Sequence, residues 1–568
     1  MLKSKPKEIS IKSILNWLDQ NILLILSSFL LLFIPLFPKL PLFDVIPGYI
    51  VRVRPEDILI LITSIIWIIQ LSRKKISIKT PLTKIVIAYA IIGLLSTISA
   101  VFITKTVPLQ PLHVGKSLLH FFRYIEYFSL FFIVYTAVKS RKDLKILLAM
   151  ALTAIIGVGI YGLGQKYLYW PVYSTMNREF SKGIRLYLTE HARVQSTFGG
   201  HYDLAAYLVV VLPLVFAILL TAKKKLHQLA LWGVFLIGLW SLVVSGSRSS
   251  FAAFLFAAML VIVFKSFDFK TLLQKIVYIF KKTVILGILV SLMMIIFGDD
   301  MYERLLQSIE GYPIIYQPYT KVASSTVWFV NDFFPSAIGL SDENKNRWEN
   351  MQDFELASIP DNALSTEEAE VLVSSDQQPT SGRPSDVYVN VPDIQQVATI
   401  SASGKVEIIN QVVPRTYSDN AIRHGLSLAI RLDTLWPQAL QGFYRNPLLG
   451  SGYATLTKSS IGQFTEAEST DNNFLRTLGE TGLLGFASFY GAILIAIGVA
   501  IQIWRKTPKN LLNQALAIGF ISGSIGLLLN AVYIDVYAAS KVAFTYWSLA
   551  GIVLAILNKK FTNTNKSS

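Results

Sequence analysis

Cysteine is absent from all 568 residues, which excludes a disulfide framework and any thiolate metal site. Histidine is scarce: there are six, none in a metal-ligand spacing such as HExxH. Metal chemistry on His or Cys ligands is thereby disfavoured, and a carboxylate-held Mg²⁺ stays open. Charge is thin as well. Asp, Glu, Lys and Arg make up 15% of the chain against 53% hydrophobic residues, and the mean hydropathy is +0.50. A soluble chain of this length would carry more charge and divide into several domains, so the balance indicates a polytopic membrane protein. Acidic residues are few outside one segment: 23 of the 36 lie between Asp299 and Asp471, where only 11 basic residues stand. The rest of the chain is strongly basic, and its basic residues sit in short loops between apolar runs. The net charge of +16 is therefore a topology signal and not a nucleic-acid footprint.

What is abundant is apolar sequence of membrane-spanning length. Runs at about 21–38, 56–72, 83–104, 117–138, 143–164, 203–221, 227–245, 249–265 and 281–298 are followed by three more at about 482–504, 512–533 and 539–557. The expected fold is an all-α polytopic membrane protein of about twelve transmembrane helices, with a large extracytoplasmic loop domain between helices 9 and 10. The first run lacks a small-residue cleavage site and reads as a retained helix. With the basic N-terminus inside, SRKKISIK, KSRKDLK, AKKKLH, the 265–282 linker, WRKTPKN and the C-terminal tail all fall inside, and every one is basic. Both termini are then cytoplasmic. The linker FKSFDFKTLLQKIVYIFKK reads equally as an amphipathic helix on the inner membrane surface or a plain basic loop.

Three regions follow: 1–298 with nine helices, 299–474 as the outer loop domain, and 475–568 with three helices and a basic tail. Within the outer segment, 341–392 is rich in Ser, Asp, Glu, Gln and Pro and reads as poorly ordered. VATISASGKVEIINQVV at 397–413 predicts a β-hairpin about a Ser-Gly turn. Apolar spacing from Ala421 to Phe443 predicts a helix that Pro437 interrupts.

Four polar constellations fall on the outer side. The first, Ser196-Thr197-Phe198-Gly199-Gly200-His201-Tyr202-Asp203, precedes an apolar helix, and its glycines would let backbone amides approach a phosphate or merely lead into the helix. In the second, Val244-Ser245-Gly246-Ser247-Arg248-Ser249-Ser250, Arg248 is a lone cation in a small, hydroxylated turn; it would grip a diphosphate or snorkel to headgroups. The third runs from Arg431 to Trp436 and on to Pro447-Leu448-Leu449-Gly450-Ser451-Gly452-Tyr453, with Arg423 and His424 about two turns before Arg431. The fourth, from Asp471 to Gly485, sets Asp471, Asn472, Arg476 and Glu480 at the mouth of a membrane helix, a costly place for polar groups. Asp471 would equally serve as an N-cap.

Together these stretches resemble the bacterial O-antigen ligase and O-antigen polymerase family. The likeness covers about residues 190–500: Ser-Thr-Phe-Gly before a helix, Ser-Gly-Ser-Arg, Arg431 through Pro-Leu-Leu-Gly-Ser-Gly-Tyr, and Asn472…Glu480-Thr481-Gly482-Leu483-Leu484-Gly485 at a helix mouth. The resemblance implies a membrane glycosyltransferase that needs no cofactor or metal. It would take a glycan from a polyprenyl-diphosphate donor and pass it to a glycan, lipid or protein acceptor on the outer face of the bacterial cytoplasmic membrane, in cell-surface polysaccharide biosynthesis. Arg248 and Arg431 match the arginines held to bind the donor diphosphate. Family ligases carry a His directly before the Asn; here that residue is Asp471. Asp471, Asn472 and Glu480 are then the catalytic candidates, with His201, Arg423 and His424 accessory and His191 a further possible base. The partners are the lipid-linked donor, the acceptor and membrane lipids, with no nucleic acid. A transporter or lipid-linked glycan flippase is the main alternative, and a non-catalytic scaffold a lesser one. Helix centres almost free of charge, with polar groups gathered at outer ends, favour interfacial chemistry over transport.

Overall fold

The computed structural model describes residues 11–46, 52–176, 179–189, 192–298, 301, 393–400, 406–413, 417–456, 469–508 and 510–557. The chain is an all-α polytopic membrane protein. Twelve of its described helices are long and apolar enough to cross a bilayer. They are α1 (Ile11–Leu36), α2 (Pro55–Ser72), α3 (Thr83–Phe102), α4 (Pro111–Ala137), α5 (Arg141–Tyr167), α6 (His201–Leu219), α7 (Lys225–Val244), α8 (Arg248–Ser266), α9 (Leu272–Phe297), α13 (Asn473–Lys506), α14 (Leu511–Asn530) and α15 (Ser540–Leu554). Between α9 and α13 come the strands β3 (Asp393–Ile400) and β4 (Val406–Val413) and the short helices α10 (Asp419–His424), α11 (Leu426–Ile430) and α12 (Trp436–Arg445). A two-residue pair, β1 (Phe43–Asp44) and β2 (Arg52–Val53), precedes α2.

Four helices, α1, α4, α9 and α13, begin six to ten residues before the apolar runs that announce them, and the other starts fall within two residues of theirs. The linker after Lys265 is one of these cases, and from Leu272 it is helix rather than a plain basic loop. Thr271 and Gln274 form a capping box, neither Gly nor Pro interrupts the next turns, and α9 runs unbroken from Leu272. Leu273, Ile276, Val277 and Phe280 on its first turns are exposed apolar residues, suited to lipid.

The helices form one compact unit, and Glu303–Thr434 forms another. The second unit is narrower than the expected 299–474, because Leu435 onward belongs with the helices. Its described part contains the expected hairpin, paired antiparallel from Asp393↔Val413 to Ile400↔Val406. The hairpin's Ser-Gly turn and the 341–392 stretch lie outside the described residues. Gly425, at φ +78°, breaks the expected long helix into α10 and α11, and Pro437 sits in the first turn of α12, where its missing N–H costs nothing.

In the helical unit, α6, α14 and α15 are the most deeply buried helices, and α6 packs on α14, α8, α7 and α15. The α6–α14 contact is close because a Cβ at Gly523 would lie 2.6 Å from the Val210 carbonyl, and one at Gly519 2.5 Å from Leu214 Cα. This is the small-xxx-small packing that lets membrane helices approach where lipid offers no hydrophobic driving force. A second cluster is aromatic: Tyr89, Tyr124, Phe128, Phe489 and Trp547 join α3, α4, α13 and α15, and the Tyr453 hydroxyl donates to that of Tyr89 at 3.1 Å.

Candidate active site

α13 is two helices in one. Gly482, at φ 64° and ψ −168°, occupies a backbone region open essentially to glycine alone, and the helical path breaks there. Hydropathy places the span at 482; the short helix Asn473–Thr481 precedes the break. A break in a membrane helix leaves backbone groups needing partners. The Pro447–Tyr453 segment supplies them: Leu483 N–H donates to Pro447 O (2.8 Å), Leu484 N–H to Leu448 O (3.2 Å), Ser451 N–H to Gly479 O (2.9 Å) and Gly452 N–H to Glu480 O (2.9 Å). Ser96 of α3 donates to both Leu449 O and Glu480 O, at 2.6 and 2.9 Å. Two stretches that are weak turn signals separately thus form one crossing.

Glu480 turns inward at that crossing. It is buried, accepts the Ala454 N–H at 3.1 Å, and faces Arg476 Nε at 3.6 Å. This gives it a positioning role. Arg476 also donates to Asp535 at 3.0 Å, and Asp535 is the hub of the site. From the loop between α14 and α15 it accepts Thr470 N–H (3.0 Å), Thr470 Oγ1–H (2.9 Å), Asn472 N–H (3.1 Å) and Ser469 Oγ–H (2.8 Å). Four of these five donors belong to residues 469–472 and tie that loop to Asp535. Asp471 turns through φ +49° within this held loop, half-buried, and its Oδ1 lies 2.9 Å from Ser469 Oγ, sharing with Asp535 the one hydrogen of that hydroxyl.

The N-cap of α13 is Asn472 and not Asp471: Asn472 Oδ1 accepts the Leu475 N–H at 3.0 Å. Asn472 is buried, so capping occupies the side chain expected to act on substrate. Asn473 accepts from Tyr537 N–H at 3.0 Å, and its own N–H donates to Ala531 O at 2.8 Å.

Arg248 is the first residue of α8, half-buried. Two residues on, Ser250 exchanges hydrogen bonds with Asn530 at 2.9–3.2 Å, and the residue after Asn530, Ala531, holds Asn473. Arg248 and Asp471 thus sit at neighbouring helix ends, joined through the C-terminus of α14.

The Ser196–Gly200 stretch is a buried strut and not an open phosphate cradle. Ser196 Oγ donates to Val158 O (2.7 Å), Thr197 Oγ1 to Pro35 O (2.5 Å), and the Gly199 carbonyl accepts from Thr175 N–H (2.7 Å). Its hydroxyls are committed internally. His201 begins α6 and is buried, with its Nε2 against Arg193 Nη1. In the second unit, Arg431 donates to Ser427 O and Oγ at 2.6 and 2.7 Å, and Arg423 and His424 are exposed in the last turn of α10. Asp433 there is held below the usual carboxylate range by hydrogen bonds from Ser418 and Asn420. His191 lies outside the described residues. Among the described residues no group of three His, Asp or Glu is placed to hold a metal ion.

Several charged groups escape the sequence reading. The helices are not free of charge away from their ends: Arg123, twelve residues into α4, pairs with Asp57 of α2 at 2.6 Å and with Glu126 at 2.9 Å. Lys541, at the start of α15, donates to three backbone carbonyls, Pro35 (3.1 Å), Phe37 (2.7 Å) and Thr197 (2.7 Å). It also lies 4.8 Å from the Phe198 ring centroid. Lys39 pairs with Glu56 at 3.0 Å and contacts Ser540; burial, then Arg54, push its ammonium below the ordinary value, while Glu56 pulls it back. The signal available for each was an ionisable residue inside or beside an apolar run. No family model matches the chain, and no curated protein matches it.

Proposed function

We propose that this protein transfers a glycan from a polyprenyl-diphosphate carrier to an acceptor on the outer face of the bacterial cytoplasmic membrane, in the manner of an O-antigen ligase or polymerase. The observation that supports the reading is that the first turn of α8, which opens with Arg248, and the start of α13, two residues after Asp471, both bond the C-terminal end of α14, while Asp535 ties down the loop that carries Asp471. The acceptor hydroxyl gives its proton to the Asp471 carboxylate as its oxygen attacks the anomeric carbon. The bond from that carbon to the donor diphosphate breaks, and the diphosphate leaves on the lipid with one more negative charge. Arg248 neutralises that charge with a planar fork of donors. A diphosphate is a good leaving group, so a weak carboxylate base suffices.

Glu480, Arg476 and Asp535 hold this frame without touching the reacting atoms. Asn472 caps the helix that carries it. The outward orientation follows from the basic loops at the other helix ends.

The test is to compare surface glycans with and without the gene. Loss of chain length with one repeat retained identifies a polymerase, and accumulation of full-length lipid-linked glycan identifies a ligase. Unchanged surface and lipid-linked glycans would sink the proposal.

A further inference from the structure

Arg193 is a cation that no motif singles out. Its backbone neighbourhood is fixed, because Val194 N–H donates to Val244 O at 3.1 Å and ties the loop before α6 to the end of α7. Its guanidinium reaches His201 Nε2 and the Tyr202 hydroxyl (3.2 Å), with its carbon 5.7 Å from the Tyr202 ring centroid. Its stem lies across Gly246, at φ +62° in the turn that carries Arg248. A Cβ at Gly246 would meet Arg193 Cγ at 3.2 Å, Cδ at 3.3 Å and Nε at 3.5 Å. The glycine of the Ser-Gly-Ser-Arg turn is therefore the floor on which Arg193 rests, and it brings a second arginine to the turn of the first.

The electrostatics are unbalanced. Arg193 is half-buried, and among the described residues no carboxylate pairs with it. A guanidinium withdrawn from water without an anionic partner is costly, and its planar fork suits phosphate oxygens. α8, with Arg248 at its first position, starts two residues after Gly246, and a helix N-terminus favours anions. The histidine contact also has a chemical consequence. A guanidinium only donates, so in this contact His201 Nε2 is the acceptor. His201 is thereby a positioning residue for Arg193 and not a base at Nε2.

We infer that Arg193 is a second diphosphate-binding residue, acting with Arg248 across the Gly246 turn and held in place by His201 and Tyr202. This inference rests on the transferase reading and adds a residue to its donor site.

The experiment uses the full chain in nanodiscs of zwitterionic lipid, with polyprenyl diphosphate, polyprenol and inorganic diphosphate as probes. Wild type is expected to bind polyprenyl diphosphate far more tightly than polyprenol. Arg193→Ala should weaken that binding about tenfold or more, the loss of a charge-assisted hydrogen bond. Arg193→Lys, which keeps the charge but not the fork, should recover part of it, and Gly246→Ala should weaken it several-fold. Ligand-free melting temperatures of Arg193→Lys and wild type separate binding from folding. Unchanged affinity in Arg193→Ala, with affinity lost in Arg248→Ala, overturns the inference and leaves the transferase reading standing. If wild type does not distinguish polyprenyl diphosphate from polyprenol, the transferase reading fails. Arg193-dependent stabilisation by inorganic diphosphate would then still support the anion site, and its absence would overturn that too.

Discussion

Replacing Gly482 by Ala tests whether the break in α13 is built into the fold. Its φ of 64° with ψ of −168° costs an L-residue roughly 1–3 kcal/mol. The added Cβ would also overlap the Leu448 carbonyl and lie 2.5 Å from Leu449 N, and these are backbone atoms that cannot rotate away. Relief requires the crossing segment to move, which loses the bonds from Leu483 to Pro447 and from Leu484 to Leu448, about 1 kcal/mol each. The sum is about 3–5 kcal/mol, a large share of the ~5–15 kcal/mol that keeps a typical protein folded. Gly498 lies in the same helix with nothing within 4 Å of its would-be Cβ, so Gly498→Ala is the matched control, expected to be neutral or stabilising by up to about 1 kcal/mol. Thermal unfolding of both variants in one detergent is the assay. Equal melting temperatures would refute the reasoning, since they would mean that the break accommodates a side chain.

Three further outcomes follow from the same geometry. Asp535→Asn should destabilise by about 3 kcal/mol, because it leaves the buried Arg476 with only Glu480 at 3.6 Å; a melting temperature equal to wild type would contradict this. Lys541→Met keeps the stem but strips the donors from three carbonyls, and should cost about 3 kcal/mol. Wild-type stability in that variant would show that burying the ammonium costs as much as its bonds contribute. Asn472→Ala should lose about 1 kcal/mol of capping, while Asn472→Asp, an equally good cap, should lose little. Chemical denaturation of the pair distinguishes a capping role from a substrate contact, which Asp would not replace.

All twelve spans were legible because a run of some eighteen apolar residues has few other uses. The hairpin was legible over 397–413 from alternation about a turn, short of the four residues by which β3 begins earlier, and Pro437 marked its helix start. The break at Gly482 was hidden because hydropathy is averaged over a window and one glycine hardly moves it. Its glycines and those of Pro447–Tyr453 were visible separately, but that they cross is a tertiary fact. Asp535 and Arg476, 59 residues apart, carry no local pattern that pairs them. Asp535 alone between two apolar runs was still a usable signal, as were Lys541 and Arg123 within their spans. Asp471 as N-cap failed by one residue, since Asp and Asn are equally good caps and the preceding loop decides between them. Arg193 stood beside a flagged motif, and what identifies it is Gly246, some fifty residues on.

Glycan transfer with Asp471 as the proton acceptor is open to one direct test. The direct measurement is transfer from a polyprenyl-diphosphate-linked glycan to acceptor in vesicles containing the purified full chain, for wild type and for Asp471→Asn of equal melting temperature. Wild type should transfer the glycan, and Asp471→Asn should lose transfer while retaining donor binding. Full transfer by Asp471→Asn, or movement of the lipid-linked glycan across the vesicle membrane without any change in the glycan, would contradict it.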